Sequence, residues 1–241
     1  MMKKALFLFF AALSSFFFLS IEGAEPEHKK PILVFDFGGV IAEADNEVVF
    51  TYLERSLSLS RNEVMHVIAQ LRESRIKGVS EEQFWNEYAT STNMTLPEKW
   101  IESLNAVQQS AIRPNSRMIE MVKRLKAMGY RIALLSNVQK HQAKIVRDTG
   151  LYLYFDPIVL SCEIGVEKPN IEAYQILLQR LHAVPKECIM IDDSPENIQS
   201  AQRLGMGTIL FQSTDSFFAE LKRRNIPEEP RNELNFGFSV R

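Results

Sequence analysis

The stretch Ile32-Leu33-Val34-Phe35-Asp36-Phe37-Gly38-Gly39-Val40-Ile41 decides the fold. Its first six residues are apolar except for Asp36 and too few for a helix, and they end at a Gly-Gly turn. Ile32–Phe37 therefore reads as a buried strand. Four later runs have the same character: Arg131–Asn137, Pro157–Cys162, Cys188–Asp193 and Thr208–Phe211. Between them lie helical patterns with readable ends. One runs from Pro114 to Met128 and stops at Gly129; another runs from Gln139 to Thr149 and stops at Gly150. Asn170 caps a helix running toward His182, and Ser194-Pro195-Glu196 opens another that ends near Gly205. Strands alternating with helices predict an α/β architecture, a parallel sheet with helices on both faces.

The spacing of the first two strands is anomalous. Asp36 and Ser136 lie 100 residues apart, whereas a parallel crossover needs a single helix, which Pro114–Met128 already supplies. The surplus, Ala44 to Arg113, has helical character throughout. Ser60-Arg61-Asn62-Glu63 and Ser80-Glu81-Glu82-Gln83 have the form of capping boxes, and Thr95-Leu96-Pro97 is expected to start a further helix before Trp100. The predicted organisation is a core of residues 25–43 and 114–226, a small helical insertion at 44–113 over one end of the sheet, and a loosely attached tail at 227–241.

Composition narrows the function classes. The chain has 241 residues, 46% hydrophobic and 24% charged, which suits one globular domain with an insertion and excludes collagen-like or disordered chains. A formal charge of −2 gives no basic face for nucleic acid. Two cysteines, without a Cys-x-x-Cys pair, are too few for a disulfide framework or a cysteine zinc site. At the N-terminus, Lys3 and Lys4 precede the apolar run Ala5–Ile21 and the small residues Gly23 and Ala24. That order predicts a secretory signal peptide over residues 1–24. Glu22 is unusual before such a cut, and the 17-residue run is near the length of a spanning helix, so an N-terminal membrane anchor is the alternative. Either way the two lysines hold the N-terminus inside, and the body is expected in the periplasm or outside the cell.

In an open parallel sheet, ligands collect beyond the carboxyl ends of the strands. At those ends the sequence places Asp36, then Ser136-Asn137, then the loop to Lys168, then Asp192-Asp193. A carboxylate in such a place can act as a nucleophile. Acids brought together need a cation, for which hard Mg²⁺ suits oxygen ligands, and a lysine can neutralise a phosphoryl group.

Four segments carry a resemblance. Val34-Phe35-Asp36-Phe37-Gly38-Gly39-Val40-Ile41, Leu134-Leu135-Ser136-Asn137, Gly165-Val166-Glu167-Lys168-Pro169 and Ile191-Asp192-Asp193-Ser194-Pro195-Glu196-Asn197 resemble, in order, the four motifs of the haloacid dehalogenase-like hydrolase superfamily. The resemblance runs from Pro31 to about Phe211. The insertion is similar to the helical type-one cap of the subfamily with sugar-phosphate and phosphoglycolate phosphatases. The resemblance implies a modified Rossmann-like fold, Mg²⁺ dependence and an aspartyl-phosphate intermediate, with a small phosphorylated metabolite, such as a sugar phosphate, as substrate. It implies Asp36 as nucleophile, Ser136 helped by Asn137 as phosphoryl ligands, and Lys168 steadying both Asp36 and the phosphate. It implies Asp36, the backbone carbonyl of Gly38, and Asp193 with Asp192 as metal ligands; which of the two acids is principal stays open, since neighbours on a strand point opposite ways.

Gly38 departs from the usual pattern. Most phosphatases of this type carry aspartate there, as acid for the leaving group and base for water. The glycine resembles a branch of α-glucose-1-phosphate phosphatases; a non-acidic residue also occurs in 2-haloacid dehalogenases, which makes a metal-independent dehalogenase the second reading and a catalytically weak binding protein the third. His66, His141 and His182 show no acid at fixed spacing and are read as surface or half-buried residues. Trp85, Tyr88 and Trp100 are read as packing the insertion. Cys162 and Cys188, placed at opposite ends of the sheet, are expected to be free thiols.

Overall fold

The structure is a computed structural model, and it describes residues 30–229. The predicted leader over residues 1–24 and most of the tail lie outside the described residues. The chain opens with β1 (Ile32–Phe35) and β2 (Ala42–Ala44). Four helices follow: α1 (Asn46–Leu57), α2 (Arg61–Ile76), α3 (Glu81–Thr92) and α4 (Trp100–Ser110). The chain returns through β3 (Ile112–Pro114), α5 (Ser116–Ala127), β4 (Ile132–Ser136) and α6 (Lys140–Asp148). It continues as β5 (Ile158–Leu160), α7 (Ser161–Ile164) and α8 (Ile171–Leu181). It finishes with β6 (Cys188–Asp192), α9 (Pro195–Arg203), β7 (Gly207–Leu210) and α10 (Thr214–Arg223).

All five predicted strands are present and form one parallel sheet in the order β5-β4-β1-β6-β7. Alternation along β1 divides the core. Leu33 and Phe35 face a layer with Met118, Leu125, Val146 and Phe217, whereas Ile32 and Val34 face Ala173, Tyr174, Leu177 and Ala201. Strands buried on both faces have to be continuously apolar, which is why the runs were readable. The chain steps from β1 to β4 and β5 on one side, then returns to β6 and β7 on the other. The reversal of direction lies between β1 and β6, and Asp36 and Asp192 end or follow those two strands.

The insertion has its own core, in which Leu53, Val67 and Leu71 surround Phe84, Trp85, Trp100 and Leu104. Trp85 and Trp100 meet edge to face with centroids 5.2 Å apart, a geometry worth about 0.5–1.5 kcal/mol beyond area burial. The aromatics expected to pack the insertion do so. Ser60 makes the full capping box with Glu63. Ser80 caps α3 through the Gln83 N–H, but the Gln83 amide turns to Glu87 instead of reaching back. The expected helix start at Thr95 is corrected: α4 begins at Trp100 behind Lys99, which has a left-handed backbone and no side-chain cap.

One further feature differs from expectation. The insertion is entered and left through an antiparallel pair, β2 with β3, in register Ala42↔Pro114, Glu43↔Arg113 and Ala44↔Ile112. Ile226, the last residue of the predicted core, is buried, and its N–H bonds to the Leu221 carbonyl. Cys162 lies in α7 beyond the end of β5, and both cysteines are free thiols.

Candidate active site

Asp36 is the first residue past β1, and its N–H donates to the Ile191 carbonyl at 2.8 Å, so pairing with β6 fixes its backbone. Its carboxylate is nearly buried, with Oδ1 2.8 Å from Lys168 Nζ. The same ammonium lies 2.6 Å from Asp192 Oδ2. Asp192 is fully buried and otherwise satisfied by the protein: Asn197 Nδ2 donates to both oxygens at 3.0 and 3.1 Å, and the Ser194 N–H donates to Oδ1 at 2.9 Å. Buried carboxylates require this number of donors.

Asp193, one residue on, is exposed, and no cationic side chain pairs with it among the described residues. Its carboxylate lies directly over Gly39, where an added Cβ would stand 2.3 Å from Oδ2. One oxygen from each of Asp36, Asp192 and Asp193 lies within 4.8 Å of the others. Burial pushes the Asp36 carboxyl up to about 6, with Lys168 pulling it back and the Asp192 charge adding to the rise. Burial and the Asp192 charge also raise Asp193. Three acids around one ammonium leave negative charge uncompensated, and a small divalent cation with oxygen ligands fits that donor set. Asp192 is held by Lys168 and Asn197, whereas Asp193 keeps one oxygen within 4.8 Å of the other two acids.

Ser136 ends β4, is buried, and faces a cavity over the sheet together with Gly38 and Asn137. Asn137 has a contact that its expected role did not include. Its Nδ2 donates to the Lys168 carbonyl at 2.7 Å and its Oδ1 accepts from the Lys168 N–H at 2.8 Å. The amide thus clamps the main chain of Lys168. Ser161 holds the same loop from the other side, accepting from the Val138 N–H at 2.9 Å. Gly38 is exposed, with no atom within 4 Å of where a Cβ would stand.

Sequence reasoning missed a second buried cluster, between the insertion and the core. Glu81 of α3 lies with Oε2 2.7 Å from Arg75 Nη2 and 2.5 Å from His141 Nε2 of α6, and its Oε1 accepts from Gln108 Nε2 at 2.9 Å. Burial raises the Glu81 carboxyl, but the His141 hydrogen bond and the Arg75 charge outweigh it and bring it down to about 2. His141 is half-buried as expected; its acid comes from another element, where no fixed spacing reveals it.

A family model described as haloacid dehalogenase-like hydrolase matches residues 31–205. The chain is 27% identical over 236 residues to bifunctional epoxide hydrolase 2 of Rattus norvegicus, covering 86% of this chain and 42% of that protein. It is 34% identical over 110 residues to glyceraldehyde 3-phosphate phosphatase of Methanothermobacter thermautotrophicus, covering 44% of this chain and 48% of that one. The matches thus span less than half the length of these curated relatives. A haloacid dehalogenase-family enzyme of Bacteroides thetaiotaomicron, solved with magnesium and inorganic phosphate, has the same fold with a TM-score of 0.59 at 22% identity, covering 77% of this chain and 96% of that one. A structure from Porphyromonas gingivalis described as a predicted hydrolase of this kind superposes with a TM-score of 0.59 at 22% identity, covering 83% of this chain and 99% of that one.

Proposed function

The chain belongs to the haloacid dehalogenase-like hydrolase family, and from that premise we propose that it hydrolyses a small phosphomonoester, with Asp36 as nucleophile and Mg²⁺ as cofactor. The observation that carries the reading is the cluster of Asp36, Asp192 and Asp193 around the Lys168 ammonium. It also argues against the metal-independent dehalogenase reading, since such a site has no use for a third acid left without a cation. Asp36, Asp193 and the Gly38 carbonyl would hold the ion, with Asp192 behind them. A bound Mg²⁺ supplies charge neutralisation and polarisation of a phosphoryl oxygen.

The chain's own groups supply the remaining steps. An Asp36 oxygen attacks phosphorus as the bond from phosphorus to the ester oxygen breaks, forming an acyl phosphate, and the departing alkoxide takes its proton from solvent; water then attacks that phosphorus, gives a proton to solvent, and releases inorganic phosphate with the carboxylate restored. Lys168 holds Asp36 ionised and oriented, and stabilises charge on the transferred group. The Ser136 hydroxyl donates to a phosphoryl oxygen. Asn137 holds the Lys168 main chain, and its second Nδ2 proton is left to donate to a phosphoryl oxygen beside Ser136. Gly38 has no proton to give the departing oxygen.

Release of inorganic phosphate from a panel of phosphomonoesters, with and without Mg²⁺, tests the reading. Turnover that needs Mg²⁺ and disappears in Asp36→Asn supports it. Equal turnover in Asp36→Asn, or hydrolysis of haloacids without metal, overturns it. We place the body outside the cytoplasm, on the charge order of the leader; N-terminal sequencing of the exported protein is expected to read from Glu25, and soluble cytoplasmic protein starting at Met1 would refute export.

A further inference from the structure

Above the strand ends lies a cavity of about 300 Å³ between sheet and insertion. Its floor includes Gly38, Ser136 and Asn137, so it opens directly onto the phosphoryl end of the site. Its walls are mostly hydrocarbon. Phe37, Val146 and Ile145 come from the core, and Phe50, Ile68 and Leu71 come from α1 and α2.

The polar groups on the inner wall are tied to the Glu81 cluster, except for Arg75 Nε, which is itself buried and without a partner. Gln108 donates from Nε2 to Glu81 Oε1 at 2.9 Å, and its Oε1 accepts from His141 Nε2 at 2.8 Å. Arg75 is held on Glu81 at 2.7 Å. The remaining polar residues of the lining apart from Ser136 and Asn137, namely Glu43, Asn46, Arg72 and Gln142, are all exposed and lie at the rim. A sugar carries a hydroxyl on nearly every carbon. Burying one here would strip those hydroxyls of water without partners, a loss of several kilocalories for each unsatisfied group. An apolar body has no such penalty and gains from burial.

We infer that the substrate is the phosphate monoester of an apolar alcohol, with its hydrocarbon body seated between Phe50, Ile68 and Leu71 of the insertion and Phe37, Ile145 and Val146 of the core. This rests on the phosphatase reading above and departs from the sugar-phosphate expectation. At about 300 Å³ the cavity stands at the lower end of the range of small-molecule pockets. The leaving oxygen is delivered to the Ser136 end of the cavity, and the rim polar groups remain in water.

The test uses primary alkyl phosphates, whose leaving oxygens are chemically alike while the chain grows. Methyl, butyl and octyl phosphate are compared with glycerol phosphate by phosphate release in Mg²⁺. Complete burial of a methylene corresponds to about a fourfold gain, so kcat/KM is expected to rise at least about tenfold from butyl to octyl. Glycerol phosphate should fall with or below butyl phosphate. Calorimetric titration with butyl- and octylphosphonate, which cannot be hydrolysed at the same bond, reads the cavity independently of catalysis. Ile68→Asn, a half-buried position, should reduce the octyl-to-methyl ratio in both measurements.

Octylphosphonate binding no tighter than butylphosphonate, or glycerol phosphate turning over better than octyl phosphate, overturns the inference while the phosphatase reading stands. Tighter octylphosphonate binding without phosphate release from any ester keeps the cavity assignment and overturns the catalytic one.

Discussion

Replacing Gly39 by alanine puts a methyl group where the Asp193 carboxylate already lies. The added Cβ would stand 2.3 Å from Oδ2 and 2.9 Å from Cγ of Asp193, while ordinary contact begins near 3.4 Å. The carboxylate must therefore withdraw by about 1 Å, and misplacement of that size at a reacting centre costs on the order of 10²-fold in rate. The backbone adds a second penalty. Gly39 has φ +71°, a region that costs a residue with a Cβ about 1–2 kcal/mol. For a protein of this length that corresponds to a fall in Tm of roughly 2–8 °C. Gly38→Ala is the matched comparison, since it adds the same methyl one residue earlier with nothing within 4 Å and keeps its carbonyl. Thermal unfolding and a Mg²⁺ titration of phosphate release are run on both variants. Gly39→Ala should melt lower, need more Mg²⁺ and lose about two decades in kcat/KM, whereas Gly38→Ala should lose far less on each count. If Gly39→Ala keeps the wild-type Mg²⁺ half-saturation and rate, Asp193 is not a ligand held by its contact with Gly39, and the reasoning fails.

Asp193→Asn should raise the Mg²⁺ requirement with little change in stability, because Asp193 is exposed and pairs with no cationic side chain among the described residues; Asp192→Asn should mainly lower the urea midpoint, because Asp192 is buried against Lys168. Equal Mg²⁺ dependence in wild type and Asp193→Asn would give the principal ligand role to Asp192. Glu81, held at about 2 against an ordinary 4.5, contributes stability that is complete above pH 4.5 and is lost as pH falls through 2. The urea-stability gap between wild type and Glu81→Gln should therefore close by about 3 kcal/mol between pH 6 and the acid limit of folding; a constant gap would refute the clustered arrangement with Arg75 and His141. Gly38→Asp adds a Cβ that meets nothing within 4 Å, and a restored acid, worth ~10²–10⁴ in rate for poor leaving groups, should flatten the dependence of kcat/KM on leaving-group pKa. If wild type already shows a flat dependence, another group donates, and Glu43, the acid among the residues lining the cavity, is checked by Glu43→Gln.

The strands were legible because burial on both faces demands unbroken apolar runs, and the main helices because Asn170, Ser194 and Ser60 sit at true caps. The β2–β3 pair was not legible. Ala-Glu-Ala and Ile-Arg-Pro carry no strand signal, and their pairing is dictated by where the chain leaves and rejoins the sheet. Thr95-Leu96-Pro97 misled because its residues favour a helix start, yet the helix waits for Trp100, whose ring must enter the insertion's core. At the site, Asp36, Ser136, Lys168 and the Asp192–Asp193 pair were legible from strand ends alone. The division of labour among them was not, because it depends on contacts between distant segments: Asn197 and Lys168 consuming Asp192, Gly39 beneath Asp193, and Asn137 on the Lys168 main chain.

The antiparallel pair of β2 and β3 brings the two ends of the insertion side by side, Ala42 opposite Pro114. The chain therefore leaves the sheet and comes back at one place, as domains that tolerate transplantation do. Asp36, Lys168, Asp192 and Asp193 all lie outside that loop, while Phe50, Ile68 and Leu71 lie within it. The acid cluster and the insertion's half of the cavity lining are thus carried on separable parts. A different helical body spliced between Ala44 and Ile112 would leave strand order and carboxylates where they are and present a new ceiling to the same nucleophile. Exchange of this one module, without rerouting the sheet, gives a single fold a route to new substrates.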